Sequence, residues 1–282
     1  MALTLEKGSD KFLKHPNLLI LGPPKHGKTS LCATYSKHFR GWPSPDKVVF
    51  LDDLLWIGFD PNALEGLVGQ GYDAPIVDLS AKTGVSLLPA LEDCASDLPK
   101  LIKQLGTRAV VVDTVSVLDK NANEYWASVF KNSNNKFDQP KAVGITHNRF
   151  VSVLKSLGVS IFALAHAKTD MLDMSDPATI AREKASGLPG SGGISSQITG
   201  QTKGTYEGLV DMILPMQARP KQGKGLDGKP VMEFERVMYP RGGNGFEGAG
   251  RYLRFLDQEE PADLTKMFAK IRARYEAEVV KQ

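Results

Sequence analysis

A glycine-containing stretch early in the chain has the residue types and spacing for phosphate chemistry. Residues 22–29, GPPKHGKT, fit the pattern GxxxxGK[ST], in which the backbone curls so that successive N–H groups point at an anion. Lys28 would place a positive charge on phosphate oxygens, and the Thr29 hydroxyl is a ligand for Mg²⁺. We predict a phosphate-binding loop here; the alternative is an ordinary turn between a strand and a helix. The residues predicted to line it are Gly22, Pro23, Pro24, Lys25, His26, Gly27, Lys28, Thr29 and Ser30.

The flanking segments have the periodicities that such a loop needs. Residues 17–21 are an apolar run typical of a buried strand, and residues 29–39 have apolar side chains at helical spacing. We expect the side chain of His26 to point outward, so that only its backbone N–H is used. Cys32 is expected to be a small buried residue rather than a reactive thiol.

Another apolar run ends at a carboxylate. Ala109 to Val112 is typical of a buried parallel strand, and Asp113 follows it. A phosphate loop needs a carboxylate that holds Mg²⁺ through water, usually at the end of a neighbouring strand. We therefore predict this role, the Walker B role, for Asp113; the alternative is that it caps the following helix.

Two more predicted strands carry polar groups at their ends. The run 46–53 ends in Asp52 and Asp53, and the run 158–168 carries His166. Because ligands gather at the carboxyl ends of parallel strands, we expect these groups to converge on the phosphates. One carboxylate would orient the attacking water and the histidine would sense the γ-phosphate; the alternatives are solvated turn aspartates and a histidine at the core edge.

Strands and helices alternate along the chain, which predicts an α/β fold with a mostly parallel central sheet flanked by helices. Further strands are predicted at 208–216, 230–240 and 251–257, and helices at 84–105, 121–131 and 146–157. We expect one core over residues 1–257, with a C-terminal β-hairpin extension, and an amphipathic terminal helix over 258–282 that packs on its own domain or on another subunit. Its apolar face would contain Leu264, Met267, Phe268, Ile271, Tyr275 and Val279.

Composition narrows the class of protein. The 282 residues are 41% hydrophobic and carry a net charge of +3, so any nucleic-acid surface must be a local patch. The two cysteines, Cys32 and Cys94, do not form a CxxC motif, which argues against a zinc site or a disulfide framework. We see no long apolar run of signal or membrane type, so we expect a cytoplasmic protein without a membrane partner.

The tetrapeptide Asn135–Asp138 spells NKxD, the guanine-reading motif of GTPases. It lies in a polar, asparagine-rich segment with no predicted strand before it, and Asp113 is not followed by the companion glycine. We interpret the match as a coincidence and expect adenine as the base.

Four stretches together resemble a known family. GPPKHGKT, VVFLDD…FDP, RAVVVDTVSVL and VSIFALAHAKTD occur in the order found in the RecA-like ATPase core. Over residues 15–216 the chain resembles phage-encoded RecA-like P-loop ATPases that accompany single-strand annealing and recombination. The resemblance implies a RecA-type sheet, ATP and Mg²⁺, a ring or filament, and single-stranded DNA as partner. A single-strand DNA-binding or annealing protein would be a further partner, in the host cytoplasm if the chain is phage-encoded.

The same resemblance assigns roles to single residues. Lys28 and Thr29 would hold phosphate and metal, Asp113 would be the Walker B aspartate, and His166 would be the polar sensor that links the γ-phosphate to the DNA loops. RecA proteins place a glutamate after the strand that here ends in Asp52 and Asp53. The general base therefore stays open, and slow hydrolysis is one expected outcome.

The Gly/Ser-rich segment 168–207 is where the family has a DNA-binding loop; the alternative is a flexible surface loop that binds nothing. Its candidate phosphate contacts are Lys168, Arg182, Lys184 and Lys203, and Tyr206 is its aromatic residue. Arg241 and Arg251 are candidates for a finger that reaches a neighbouring subunit's ATP, or are solvated turn arginines.

The leading hypothesis is thus a RecA-like ATPase that is stimulated by single-stranded DNA. Three alternatives stay open. One is a nucleotide-gated assembly protein with little hydrolysis, the second is a P-loop kinase, and the third is a helicase or packaging motor on the same core.

Overall fold

The central feature of the fold is one large β-sheet. The computed structural model describes residues 14–39, 54–61, 65, 75–169, 194–198, 200–224, 229–242 and 248–280, and structural statements refer to these residues. The strands are β1 (Leu18–Gly22), β2 (Leu54–Gly58), β3 (Ile76–Asp78), β4 (Ala109–Asp113), β5 (Ser160–Thr169), β6 (Ile194–Ser196), β7 (Met212–Lys224), β8 (Pro230–Met238), β9 (Ala249–Gly250) and β10 (Glu260–Pro261).

These strands form a ten-stranded sheet in the order β10-β8-β7-β1-β5-β4-β2-β3, with β6 paired to β5 and β9 paired to β7. The six strands from β7 to β3 are parallel to their neighbours. The edge formed by β7, β8 and β10 is antiparallel. Because β7 and β8 are consecutive, they form the predicted C-terminal hairpin, and the predicted α/β fold class is confirmed.

The described helices cover both faces of the sheet. They are α1 (Lys28–Phe39), α2 (Leu87–Leu105), α3 (Val115–Val129), α4 (Asp138–Ser156), α5 (Gly200–Glu207) and α6 (Leu264–Tyr275), followed by a π-helical turn at Glu276–Val280. Successive side chains of a strand point to opposite faces. Accordingly Leu18 and Ile20 of β1 pack with α1 and α6, whereas Leu19 and Leu21 pack with α2 to α5.

The terminal helix packs against its own chain. The N–H of Leu264 donates to Thr34 Oγ1 of α1 at 2.8 Å, and the Thr265 hydroxyl donates to the Thr34 carbonyl. Leu264, Met267, Phe268 and Ile271 are buried, as their spacing predicts, and the side chain of Val279 lies outside the described residues. No helix within the described ranges is long and apolar enough to cross a membrane.

The prediction of a strand at residues 251–257 is wrong. Leu253–Phe255 is a 3₁₀ turn. The neighbours Phe255 and Leu256 are both buried in the cluster that contains α6. A strand with one buried face would bury only one residue of such a pair. The predicted helices 121–131 and 146–157 also begin earlier, at Val115 and Asp138.

Candidate nucleotide-binding site

The predicted phosphate loop lies between β1 and α1, as the sequence pattern predicted. Gly27 has φ +87°, a conformation that L side chains rarely adopt. A Cβ on Gly22 would lie 2.8 Å from the Met216 carbonyl oxygen of β7, so glycine is also required where the loop begins. The Lys28 ammonium group donates to the carbonyl oxygens of Gly22 and Pro23, each at 2.9 Å, and is therefore held inside the loop.

Asp113 lies at the end of β4, beside the loop. Its Oδ2 accepts a hydrogen bond of 2.8 Å from the Thr29 hydroxyl, and its side chain is fully buried. Its Oδ1 has no hydrogen-bond partner among the described residues. The helix cap is Thr114, whose side chain accepts from the Val117 N–H, so the alternative role of Asp113 as that cap is excluded.

The carboxyl end of β2 brings a further carboxylate to the site. The predicted strand 46–53 lies outside the described residues, with Asp52 and Asp53; the described strand is Leu54–Gly58. Gly58 pairs with Asp113, and the N–H groups of Phe59 and Asp60 donate to the Asp113 carbonyl at 2.6 and 3.3 Å. Sequence reasoning assigned no role to Asp60, although the apolar run before it was a usable signal.

The electrostatics of the site show two charges that are held out of water. Burial lowers the pKa of Lys28 to about 8, against the charges of Asp113 and Asp60, which raise it. Burial also raises the pKa of Asp113 to about 6, against the Thr29 hydrogen bond and the Lys28 charge, which lower it. The hydrogen bonds and charges within the protein therefore do not fully offset the desolvation of Lys28 and Asp113.

His166 lies in the C-terminal half of β5, where it forms the last pair of this strand with β1, opposite Gly22. Its backbone N–H donates to Ser116 Oγ of α3 at 2.9 Å. Burial, then the charge of Lys28, lowers its pKa, whereas the charge of Asp60 raises it. His166 is thus close enough to the loop to be sensitive to the charges there.

The structure places the His26 side chain differently from the prediction. Nδ1 of His26 accepts a hydrogen bond of 3.0 Å from the Ala218 N–H of β7, so the imidazole does not simply point outward. This contact fixes the loop to the hairpin. Cys32 is buried, as predicted, and burial raises the pKa of its thiol.

The candidate DNA-binding residues are only partly described. Arg182, Lys184 and the side chain of Lys168 lie outside the described residues. Lys203 on α5 is 3.5 Å from Glu207. Tyr206 is completely buried, so it is unavailable for stacking on bases.

Tyr206 instead belongs to a buried polar chain. Its hydroxyl is 3.2 Å from His147 Nδ1 of α4, and His147 Nε2 is 3.3 Å from Asp119 Oδ1 of α3. The second contact is a close approach rather than an aligned hydrogen bond. This chain joins three helices behind the site, and the sequence analysis did not find it.

The two candidate arginine fingers have partners within the chain. Arg241 donates to the carbonyl oxygens of Leu253 and Arg254, at 3.0 and 3.3 Å. Arg251 is 3.3 Å from the carboxylate of Asp211. The NKxD match runs from the turn before α4 into Asp138, the first residue of that helix, to which Asn135 donates.

The donor set fits a phosphate group and a divalent cation. The loop supplies Lys28 and backbone N–H groups for phosphate, and Thr29 and the unpaired oxygen of Asp113 are hard oxygen ligands of the kind that Mg²⁺ prefers, directly or through water. Such a cation would neutralise charge on the phosphates. Among the described residues no cluster of three or more His, Cys, Asp or Glu makes a separate metal site.

The pKa of Lys28 predicts that the protein takes up protons when it binds nucleotide. The free protein holds Lys28 partly neutral near its pKa of about 8, and a bound phosphate anion raises that pKa. We therefore expect ATP binding at about pH 8 to take up roughly half a proton per nucleotide. Calorimetry in two buffers with different ionisation enthalpies measures this uptake. An uptake in Lys28→Ala as large as that in the wild type would contradict the assignment.

Known proteins resemble the chain at the level of a domain family. No curated protein matches the chain. Among solved structures that match is a KaiC-like protein from the archaeon Pyrococcus horikoshii; it is 10% identical, with a TM-score of 0.40, over 83% of this chain and 89% of that chain. Residues 14–252, most of the chain, match the model of a family described as an AAA domain. The chain therefore belongs to the AAA domain family.

Proposed function

We propose that this chain is a RecA-like ATPase that binds single-stranded DNA and acts in phage DNA recombination, annealing or repair. One observation carries the proposal of an ATPase: a buried aspartate with a free carboxylate oxygen, Asp113, is bonded to the Thr29 hydroxyl next to a loop that encloses Lys28. Membership of the AAA domain family supports nucleotide binding independently.

Each residue has a role in this proposal. Lys28 and the loop amides bind the phosphates of ATP, while Thr29 and Asp113 hold Mg²⁺. Asp60 takes the place of the missing glutamate and orients the attacking water, because it follows β2 beside Asp113, whose carbonyl accepts from the Asp60 N–H. Its charge also acts on Lys28, Asp113 and His166. His166 senses the γ-phosphate.

The DNA part of the proposal is supported by the position of the elements around the basic segment. Strands β5 and β6 pair antiparallel at the same sheet end as the phosphate loop, and the segment between them contains Arg182 and Lys184. Within the described residues, the carboxylate that Lys203 approaches is that of Glu207, a partly exposed i,i+4 neighbour. Such pairs contribute little, so this lysine can exchange its partner for a DNA phosphate. Self-association into a ring or filament belongs to the same proposal.

One observation favours a second candidate, the P-loop kinase. A cavity of about 390 Å³ lies beside His166 and is lined mainly by polar residues of α3, together with Gln197. A cavity of this size would admit a small phosphate acceptor. DNA should stimulate ATP consumption by the proposed ATPase, whereas a small phosphate acceptor should stimulate ATP consumption by a kinase.

The test is ATP hydrolysis by the purified protein with Mg²⁺, measured with and without single-stranded DNA. We expect DNA to raise the rate, and Lys28→Ala to lower it on the order of a hundredfold, as expected when a major contact to the transition state is lost. Lys100→Ala removes an exposed lysine of α2 and serves as the matched control.

The outcomes separate the candidates. Tight ATP binding with no turnover, with or without DNA, would replace the ATPase by a nucleotide-gated assembly protein. ATP consumption that ignores DNA but requires a small hydroxyl-bearing acceptor would favour the kinase.

A further inference from the structure

The β7–β8 hairpin lies directly against the phosphate loop. Ala218 of β7 and Arg236 of β8 pair across the hairpin, and each contacts a different residue of the loop. Ala218 donates its N–H to His26. A Cβ placed on Gly27 would lie 2.5 Å from Arg236 Nε and 2.8 Å from its Cζ, so the guanidinium group occupies the space over Gly27.

The guanidinium of Arg236 is available to a ligand. The residue is exposed, and within the described ranges its guanidinium group makes no hydrogen bond or ion pair. Arg219, on the opposite face of the hairpin, is by contrast bonded to both Glu235 and Glu259. The lowered pKa of His26, caused by burial, by Lys28 and then by Arg236, shows that the charge of Arg236 reaches the loop.

We propose that Arg236 is a nucleotide-binding residue, whose guanidinium contacts the phosphates of ATP in the loop of its own chain. A planar guanidinium matches phosphate oxygens with parallel N–H donors, whereas the Lys28 ammonium is a point charge. The site would thus hold phosphate between two cations, one from α1 and one from the hairpin. This inference rests on the proposed nucleotide-binding function and adds a contact that the GxxxxGK[ST] pattern does not contain.

The test is calorimetric titration with Mg²⁺ and a non-hydrolysable ATP analogue, and then with pyrophosphate, which lacks the base. We expect Arg236→Ala to weaken the affinity for both probes by about tenfold to a hundredfold, the usual range for a lost charge-assisted hydrogen bond. Arg236→Lys should lie between this variant and the wild type. Lys221→Gln, which removes a charge from the opposite face of the same hairpin, should bind both probes as the wild type does.

Thermal melting without nucleotide separates an effect on binding from an effect on folding. Replacing a residue that contacts only the ligand leaves the melting temperature of the free protein unchanged. If Arg236→Ala melts early, Arg236→Lys with a normal melting temperature and weakened binding still supports the inference. Binding of both probes within about twofold of the wild type by both variants would overturn it. If the wild type itself fails to bind the analogue, the proposed function fails first and the inference with it.

Discussion

Replacement of Asp113 by asparagine is expected to slow hydrolysis strongly without destabilising the protein. Asparagine keeps an oxygen for the Thr29 hydroxyl but loses the negative charge that the proposed Mg²⁺ site requires. We expect the rate of ATP hydrolysis to fall on the order of a hundredfold to a thousandfold. Asp93→Asn, which changes an exposed aspartate of α2, should hydrolyse ATP as the wild type does.

The stability of the same variant has a defined pH dependence. The pKa of Asp113 is raised from 3.8 to about 6 in the folded protein. The folded state therefore binds this proton more tightly than the unfolded state does. The contribution of Asp113 to stability is complete below about pH 4 and is lost as the pH rises through about 6.

Asparagine does not ionise, so the Asp113→Asn variant does not lose this stability as the pH rises. At about pH 8 and without nucleotide, we expect the free energy of unfolding of Asp113→Asn to exceed that of the wild type by about 1 to 3 kcal/mol. Denaturation in urea at two pH values measures the difference. A variant that is less stable than the wild type at about pH 8 would show that the buried carboxylate is already compensated by the protein.

Replacement of His147 by alanine is expected to have the largest effect on stability. His147 is the middle member of the buried chain from Asp119 to Tyr206, and its side chain has no exposed surface. Its removal leaves a cavity between α3, α4 and α5 and takes the hydrogen-bond partner from the buried Tyr206 hydroxyl. We expect the free energy of unfolding to fall by about 3 to 5 kcal/mol.

Urea denaturation at constant pH measures this loss. Tyr206→Phe is the matched variant, because it removes only the hydroxyl at the end of the chain, and it should cost about 1 kcal/mol. A loss in His147→Ala no larger than that in Tyr206→Phe would mean that the contact with Asp119 contributes nothing to stability.

The local parts of the site were predictable from sequence. The phosphate loop is a contiguous pattern of eight residues, and β4 is a single uninterrupted apolar run that ends at Asp113. In both cases the chemistry depends on neighbours in sequence. The hairpin and the terminal helix were also predictable from their periodicity.

The features of the site that the sequence did not predict depend on contacts between residues that are distant in sequence. Two apolar runs, 48–51 and 54–57, are separated only by Asp52 and Asp53, and periodicity gives both of them strand character. Pairing between distant elements is what positions the second run: Leu54 pairs with Ala109, and the Asp60 N–H donates to the Asp113 carbonyl.

His26 and His147 illustrate the same limit. Their partners are Ala218 in the first case, and Asp119 with Tyr206 in the second. None of these contacts leaves a periodic signal in sequence, because each depends on how whole elements pack.

The hydrogen bond between Ala218 and His26 also makes the Ala218 amide proton a reporter of the contact between β7 and the phosphate loop. An amide proton exchanges with solvent only when its hydrogen bond opens. The acceptor here is the His26 imidazole of the phosphate loop, so opening requires this side chain to leave the Ala218 amide. The exchange rate of this one proton therefore reports how readily this contact opens, and a ligand that holds His26 in place slows it.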